Sequence, residues 1–208
     1  MTELTVLQAV RLKGRVSRDD IAATVGEPSD AVAAAVTAAV ESGFLIEAKT
    51  IRLSDEGRSR LAELLAAERQ GIDMTVIASA YDEFRGVNAE FKALVSDWQL
   101  KDGEPNPHDD AEYDASVLAR LDGVHHLVTP IIATVATQLP RLGNYSVKLH
   151  SALEKVHAGE TTWLTRPIID SYHTVWFELH EDLLATLGRS RADERHEEEA
   201  AMASHEPA

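Results

Sequence analysis

Three side chains in the second half of the chain have the types and the spacing of metal ligands. His150, Glu154 and His157 stand at positions i, i+4 and i+7, so an α-helix would present all three on one face. Two imidazoles and a carboxylate can hold zinc or another divalent ion when a neighbouring helix supplies a further ligand. Histidines at this spacing also hydrogen-bond between helices or face solvent. The sequence leaves both interpretations open.

Catalytic motifs do not accompany these histidines. The sequence has no glycine-rich phosphate loop, no Gly-x-Ser-x-Gly elbow, no Ser-x-x-Lys and no His-Glu-x-x-His. It also has no cysteine, which excludes disulfides and thiolate metal sites. We therefore expect a protein that is not an enzyme and that needs no cofactor.

The first 70 residues predict three helices, a hairpin and a fourth helix. Ser17, with Asp20 three residues later, forms a capping box at the start of the second helix. Pro28 and Ser29 begin the third helix, in which valines recur at helical spacing. Gly43 ends that helix because glycine adopts a left-handed conformation without strain. The two short strand candidates that follow are residues 44–46 and 51–53.

This order of elements, three helices and then a hairpin, is that of a winged helix-turn-helix. From Leu53 onward the sequence Leu-Ser-Asp-Glu-Gly-Arg-Ser-Arg-Leu resembles the segment that leads from the wing into the next helix in MarR-type transcriptional regulators. The resemblance covers residues 1–70. It implies a winged helix that binds operator DNA and regulates transcription.

The resemblance also implies which residues contact DNA. It places the third helix, residues 29–42, in the major groove, with the hairpin over a neighbouring stretch of backbone. The implied DNA-binding residues are Lys13, Arg15, Arg18, Ser29, Thr37, Lys49 and Arg52. However, the third helix has no Arg, Lys, Asn or Gln, the side chains that make paired hydrogen bonds to guanine or adenine. A helix so rich in alanine also suits docking to a protein, so both kinds of partner stay open.

Residues 71–188 predict an antiparallel bundle of about four helices. Apolar residues recur at helical spacing over 72–98, 109–138, 145–156 and from Pro167 to about residue 187. Pro130 predicts a kink or an interruption in the second of these helices, and residues 101–107 predict a loop. Residues 189–208 predict a disordered acidic tail. The predicted fold class is therefore mainly α.

Charge is divided unevenly along the chain, whose net charge is −15. Residues 1–70 contain 9 Lys and Arg against 11 Asp and Glu, whereas residues 71–208 contain 11 against 24. DNA would repel the second part, so we expect duplex contacts only in the first. The sequence has no apolar run long enough to span a bilayer and no signal-peptide pattern, so we expect a cytoplasmic protein without a membrane partner.

The interpretation that accounts for most of these features is a transcriptional regulator. We expect its partners to be double-stranded DNA, a second copy in a homodimer held by residues 71–187, and a small-molecule effector bound by the helical bundle. The alternative is a non-catalytic partner or regulatory module. Residues 11–16 and 171–177 resemble accessory segments found with actinobacterial pyruvate-phosphate-dikinase-like enzymes, although the phosphohistidine loop of such enzymes is absent.

Overall fold

The computed structural model of the protein describes residues 3–196 and is mainly helical. Two antiparallel hairpins of short strands interrupt the helices. The elements are α1 Glu3–Lys13, α2 Arg18–Val25, α3 Ser29–Glu41, β1 Leu45–Glu47, β2 Ile51–Leu53, α4 Asp55–Gln70, α5 Met74–Gln99, β3 Leu100–Lys101, β4 Glu104–Pro105, α6 Ala111–Gln138, a 3-10 helix Pro140–Gly143, α7 Asn144–His157, α8 Thr162–Thr165 and α9 Tyr172–Thr186.

The chain divides into two compact units. Unit 1 consists of Met1–Asp73 together with His180–Ala208, and unit 2 consists of Met74–Leu179. The first boundary lies three residues from the predicted end of the N-terminal domain. The second boundary falls within α9, because the later turns of that helix group with the N-terminal residues.

Unit 1 has a core of small aliphatic side chains. Leu7, Val10, Ile21, Val32 and Val36 are all fully buried. The valines of α3 lie four residues apart on one face, as the sequence predicted; Val32 and Val36 are buried and Val40 is half-buried. Ala39 is buried with them, and the exposed residues of α3 are Ser29, Asp30, Ala31, Ala34, Thr37, Ala38 and Glu41.

Two serine caps set where helices begin in unit 1. Ser17 Oγ accepts a hydrogen bond from the Asp20 backbone N–H at 3.1 Å, and Asp20 Oδ2 accepts one from the Ser17 N–H, which completes the predicted capping box. Ser54 Oγ accepts from the Gly57 N–H at 2.9 Å and donates to the Gly43 carbonyl. The second cap therefore joins the start of α4 to the end of α3.

Gly57 allows the start of α4 to lie against the chain that follows α3. A Cβ atom at this position would lie 2.0 Å from the Phe44 carbonyl oxygen and 2.9 Å from its carbonyl carbon. Both are backbone atoms that cannot rotate away. Glycine is therefore required here for steric reasons.

Unit 2 has an aromatic core. The ring of Phe91 on α5 lies 4.4 Å from that of Trp176 and 5.5 Å from that of Tyr172, both on α9, measured between centroids. Trp176 Nε1 donates to Asn88 Oδ1 at 3.0 Å, so the indole nitrogen is satisfied within the core. These rings stabilise the packing of α9 against α5.

A buried ion pair also lies in unit 2. Lys148 Nζ on α7 lies 3.0 Å from Glu178 Oε2 and 3.1 Å from Asp170 Oδ2. The Lys148 and Glu178 side chains are only 9% and 2% exposed. The Lys148 ammonium group therefore compensates the buried charge of Glu178 and also pairs with Asp170.

Three predictions about the C-terminal part of the chain need correction. Residues 101–107, predicted to be a loop, include β3 and β4, because Asp102 and Gly103 take the positive φ values that a two-residue hairpin turn requires. Helix α6 continues through Pro130 to Gln138, so of the two predicted outcomes, a kink or an interruption, the interruption does not occur.

The third correction concerns the tail that was predicted to be disordered from residue 189. The structure places residues 191–196 in a helix. Ser190 caps this helix through Asp193, and Glu194 is buried with its carboxylate 3.1 Å from His180 Nε2. Arg191 also pairs with Glu181. Capping and charge pairing order a segment that has few apolar side chains; residues 197–208 lie outside the described residues.

Candidate nucleic-acid interface

A backbone bridge organises the side of unit 1 where the sequence predicts DNA contacts. Val16, between α1 and α2, pairs with Ile51 of β2: the Val16 N–H donates to the Ile51 carbonyl at 3.1 Å, and the Ile51 N–H donates back at 2.7 Å. Strand β2 also pairs with β1, with Leu53 opposite Leu45. The hairpin is thereby anchored to the chain that leads into α2.

This bridge brings together two of the predicted DNA-binding residues. Arg15 directly precedes Val16 and Arg52 directly follows Ile51, so the bridge holds both arginines at the same side of unit 1. Both side chains are exposed, whereas Val16 and Ile51 point into the core. Lys49 is also exposed, in the turn between β1 and β2. Among the residues that the structure describes, no carboxylate pairs with any of these three cations.

Arg15 and Arg52 also line a cleft of about 560 Å³. We call it the cationic cleft, and its lining residues are Val10, Arg11, Lys13, Gly14, Arg15, Arg52, Leu53 and Arg58. The half-buried Lys13 is a third predicted DNA-binding residue at this place. Arg11 and Arg58 were not predicted, because they approach the others only through the contacts of α1 and α4 with β2.

Arg18 and Thr37, in contrast, are engaged within the protein. Arg18 donates to both carboxylate oxygens of Glu47, at 2.8 and 2.7 Å, and to the Ala33 carbonyl and Thr37 Oγ at 2.9 and 3.1 Å. Thr37 Oγ donates in turn to the Ala33 carbonyl. The hydrogen bonds from Arg18 lower the pKa of the Glu47 carboxyl below its usual range. Arg18 therefore joins α2, α3 and β1. The hydrogen-bonding groups of Arg18 and Thr37 are already engaged by partners within the protein.

The outer face of α3 offers few groups to a base edge. Ser29 is exposed at its start, where a hydroxyl suits a phosphate contact, and Asp30 follows it in the first turn. The remaining exposed positions before Glu41 are mainly alanines and Thr37. This face therefore has few groups that could make paired hydrogen bonds to a base edge.

The predicted metal ligands are not brought together as a set. His150 Nε2 lies 3.6 Å from Glu154 Oε1, but His157 Nε2 lies 3.0 Å from Asp122 Oδ1 on α6. Within residues 3–196, no group of three or more His, Cys, Asp or Glu side chains is placed to hold a metal ion. Asp122 of α6 thus pairs with His157, the third member of the set. The spacing of residues within α7 could not predict this contact, because it involves another helix.

A histidine outside that set has the more unusual surroundings. His125 Nδ1 on α6 lies 3.2 Å from the Tyr172 hydroxyl, and its ring lies 5.8 Å from that of His150. Burial lowers the pKa of His125, and the nearby His150 acts in the same direction. Burial raises the pKa of the Tyr172 hydroxyl. Both groups are thereby kept neutral near pH 7, as suits a hydrogen bond inside a core.

Comparison with known proteins adds no relative. The chain matches no family model, no curated protein and no solved structure. No helix in the described part of the chain is both long enough and apolar enough to cross a membrane.

Proposed function

We propose that residues 1–70 form a winged helix that binds double-stranded DNA and that the protein acts as a regulator of transcription. The order of α1, α2, α3, the β1–β2 hairpin and α4 supports this proposal, as does the bridge from Val16 to the hairpin. The observation that carries it is the set of exposed cations Arg15, Lys49 and Arg52, which no carboxylate neutralises among the described residues.

In this proposal, contacts to the phosphates supply most of the affinity for DNA. Cations that face a duplex release its condensed counterions, which is the main source of affinity that is independent of sequence. Because Arg18 already bonds to Glu47 and Thr37, we withdraw both Arg18 and Thr37 from the proposed contacts. The proposed contact residues are Lys13, Arg15, Ser29, Lys49 and Arg52.

Fluorescence anisotropy of a short labelled duplex, taken from upstream of the gene and titrated at several salt concentrations, tests the proposal. Alanine substitution of Arg15, Lys49 or Arg52 should each weaken binding and reduce the salt slope by about one. Thr37→Ala should leave both unchanged. Arg85→Ala, which removes an exposed cation from α5 of unit 2, is the matched control. Absence of binding by the unmodified protein at low salt would refute DNA binding.

Regulation of a defined operator would further require a homodimer, since one small unit buries too little surface for specificity. Most of the aromatic rings of unit 2 are buried, among them those of Tyr81, Phe91 and Trp176. The large apolar side chains that unit 2 exposes among the described residues are Leu100, Leu127, Val147, Ile168 and Phe177. Sedimentation velocity at micromolar concentration tests the homodimer, and a monomer would contradict it.

A second candidate function is the non-catalytic partner module. The observation that favours it is a groove of about 790 Å³ between α1, α3 and α4, in which Val6, Ala35, Ala38, Ala39 and Phe44 supply the apolar surface. Glu3 and Glu63 at this groove pair with Arg60, which also lines it, so the groove suits a partner chiefly through an apolar face. Lack of DNA binding together with co-purification of a dikinase-like enzyme would favour this candidate.

A further inference from the structure

We propose that the cationic cleft of unit 1 binds a small molecule that carries a diphosphate group or two separate phosphate groups. Five cations line this cleft, and Val10 and Leu53 provide its apolar surface. The cations are Arg11, Lys13, Arg15, Arg52 and Arg58. None of the described residues that line the cleft is acidic.

The backbone brings two of these cations to one cleft. Helix α1 ends at Lys13, Gly14 turns the chain with a φ of +78°, and the bridge of Val16 to Ile51 then holds Arg15 and Arg52 at the same cleft. Like charges held at one site repel each other. An anion bound between the two guanidinium groups would remove this repulsion.

Carboxylates of the protein pair with only some of the cations that line the cleft. Arg11 pairs with Glu181 at 3.4 Å and donates to Gln8, and Arg58 lies 3.6 Å from Asp55. The Arg58 pair is exposed and contributes little. Arg15 and Arg52 have no hydrogen-bond or ion-pair partner for their side chains in the part of the chain that the structure describes. Their donors are therefore available to a ligand, in a protein whose net charge is −15.

The size and chemistry of the cleft select the class of ligand. Its volume of about 560 Å³ lies in the range of small-molecule sites, for which about 300–1,000 Å³ is usual. Guanidinium groups make paired hydrogen bonds to phosphate oxygens, and a phosphate offers several cations more negative charge and more acceptor oxygens than one carboxylate does. A diphosphate or two phosphate groups would supply acceptors for Arg15, Arg52 and Arg58 together.

The cleft shares Lys13, Arg15 and Arg52 with the proposed DNA surface, so phosphates of a duplex and of a small ligand would compete for the same cations. The anion site stands whether or not the protein binds DNA. Competition between the two rests on the proposed function, and would make the cleft the site of a phosphorylated effector.

Isothermal titration of the full chain with inorganic pyrophosphate at low salt tests the anion site. The double variant Arg15→Ala/Arg52→Ala should weaken binding at least about tenfold, since two charged hydrogen-bonding groups are lost. Arg58→Ala should weaken it about threefold. Lys49→Ala is the matched control, because Lys49 is an exposed cation of the same unit that does not line the cleft. The affinity of this variant for pyrophosphate should stay within about twofold of that of the unmodified protein.

The same variants, titrated with the labelled duplex, separate the two proposals. Lys49→Ala should weaken duplex binding alone, and Arg58→Ala should weaken pyrophosphate binding alone. Pyrophosphate binding without duplex binding would support the anion site and refute the proposed DNA binding. Duplex binding without pyrophosphate binding at millimolar ligand would overturn the anion site. Equal losses in Lys49→Ala and the double variant would also overturn it, because general surface charge would then explain the affinity.

Discussion

Units 1 and 2 differ in the side chains that form their cores. Phe44 is the only aromatic residue of unit 1, whereas all Trp and Tyr residues and the other Phe residues lie in unit 2. Unit 1 packs Val, Leu and Ile from short helices and a hairpin, and unit 2 packs stacked rings between longer helices. Small aliphatic cores allow close approach of backbones, as at Gly57, so we expect unit 1 to be the less tolerant of added volume.

The cationic cleft of unit 1 differs from the ion pairs that occur in both units. Carboxylates hold Lys148 and Lys101 in unit 2, and Arg18 and Arg60 in unit 1. Arg15 and Arg52 at the cationic cleft have no carboxylate partner among the described residues. Charges that serve stability are paired and partly buried, whereas charges that serve binding remain exposed to a ligand. This contrast supports the proposal that the cationic cleft of unit 1 binds a ligand.

The largest effect should come from adding one methyl group in unit 1. Gly57→Ala should reduce the free energy of unfolding by more than about 4 kcal/mol, because its Cβ would overlap backbone atoms of Phe44. Gly86→Ala on α5 is the matched control; its Cβ meets nothing within 4 Å, and we expect a gain of about 0.5–1 kcal/mol. Circular dichroism follows both units during urea unfolding, while tryptophan fluorescence follows unit 2 alone. Similar stabilities for the two variants would contradict the steric argument.

A smaller difference in the free energy of unfolding should follow from removing one cation from each unit. Lys148→Ala should cost about 3 kcal/mol, because Glu178 would remain buried without its ammonium partner. Arg15→Ala should change stability by less than about 0.5 kcal/mol, since its side chain is exposed and has no protein partner among the described residues. Chemical denaturation measures both. An equal cost for the two substitutions would break the proposed division between structural and ligand-binding charge.

The smallest change in stability should come from removing the buried carboxylate of Glu194 in unit 1. Glu194→Ala should reduce stability by about 1–2 kcal/mol, because His180 would lose its carboxylate partner in a buried site. Arg195→Ala, at the exposed neighbouring position, should have no measurable effect. Thermal unfolding of the two variants provides the comparison. If Glu194→Ala melts like the unmodified protein, residues 191–196 contribute nothing to unit 1, as the sequence alone had suggested.

The amino-acid sequence by itself determined the elements whose signals are local. The starts of α2 and α4 follow from the serines that cap them, and the end of α3 follows from Gly43. The strands at residues 45–47 and 51–53 were placed to within one residue. These features depend on hydrogen bonds and sterics within one or two helical turns, which the sequence contains directly.

Only the tertiary structure decided which charged and polar groups find partners. Arg18 pairs with Glu47, 29 positions away, and His157 pairs with Asp122 on another helix, whereas Arg15 and Arg52 line one cleft. Residues 191–196 become helical where Glu194 reaches His180. Such pairings depend on distances between elements far apart in the chain. A list of candidate cations and histidines could therefore be predicted from the sequence, but the choice between a binding role and a structural one could not.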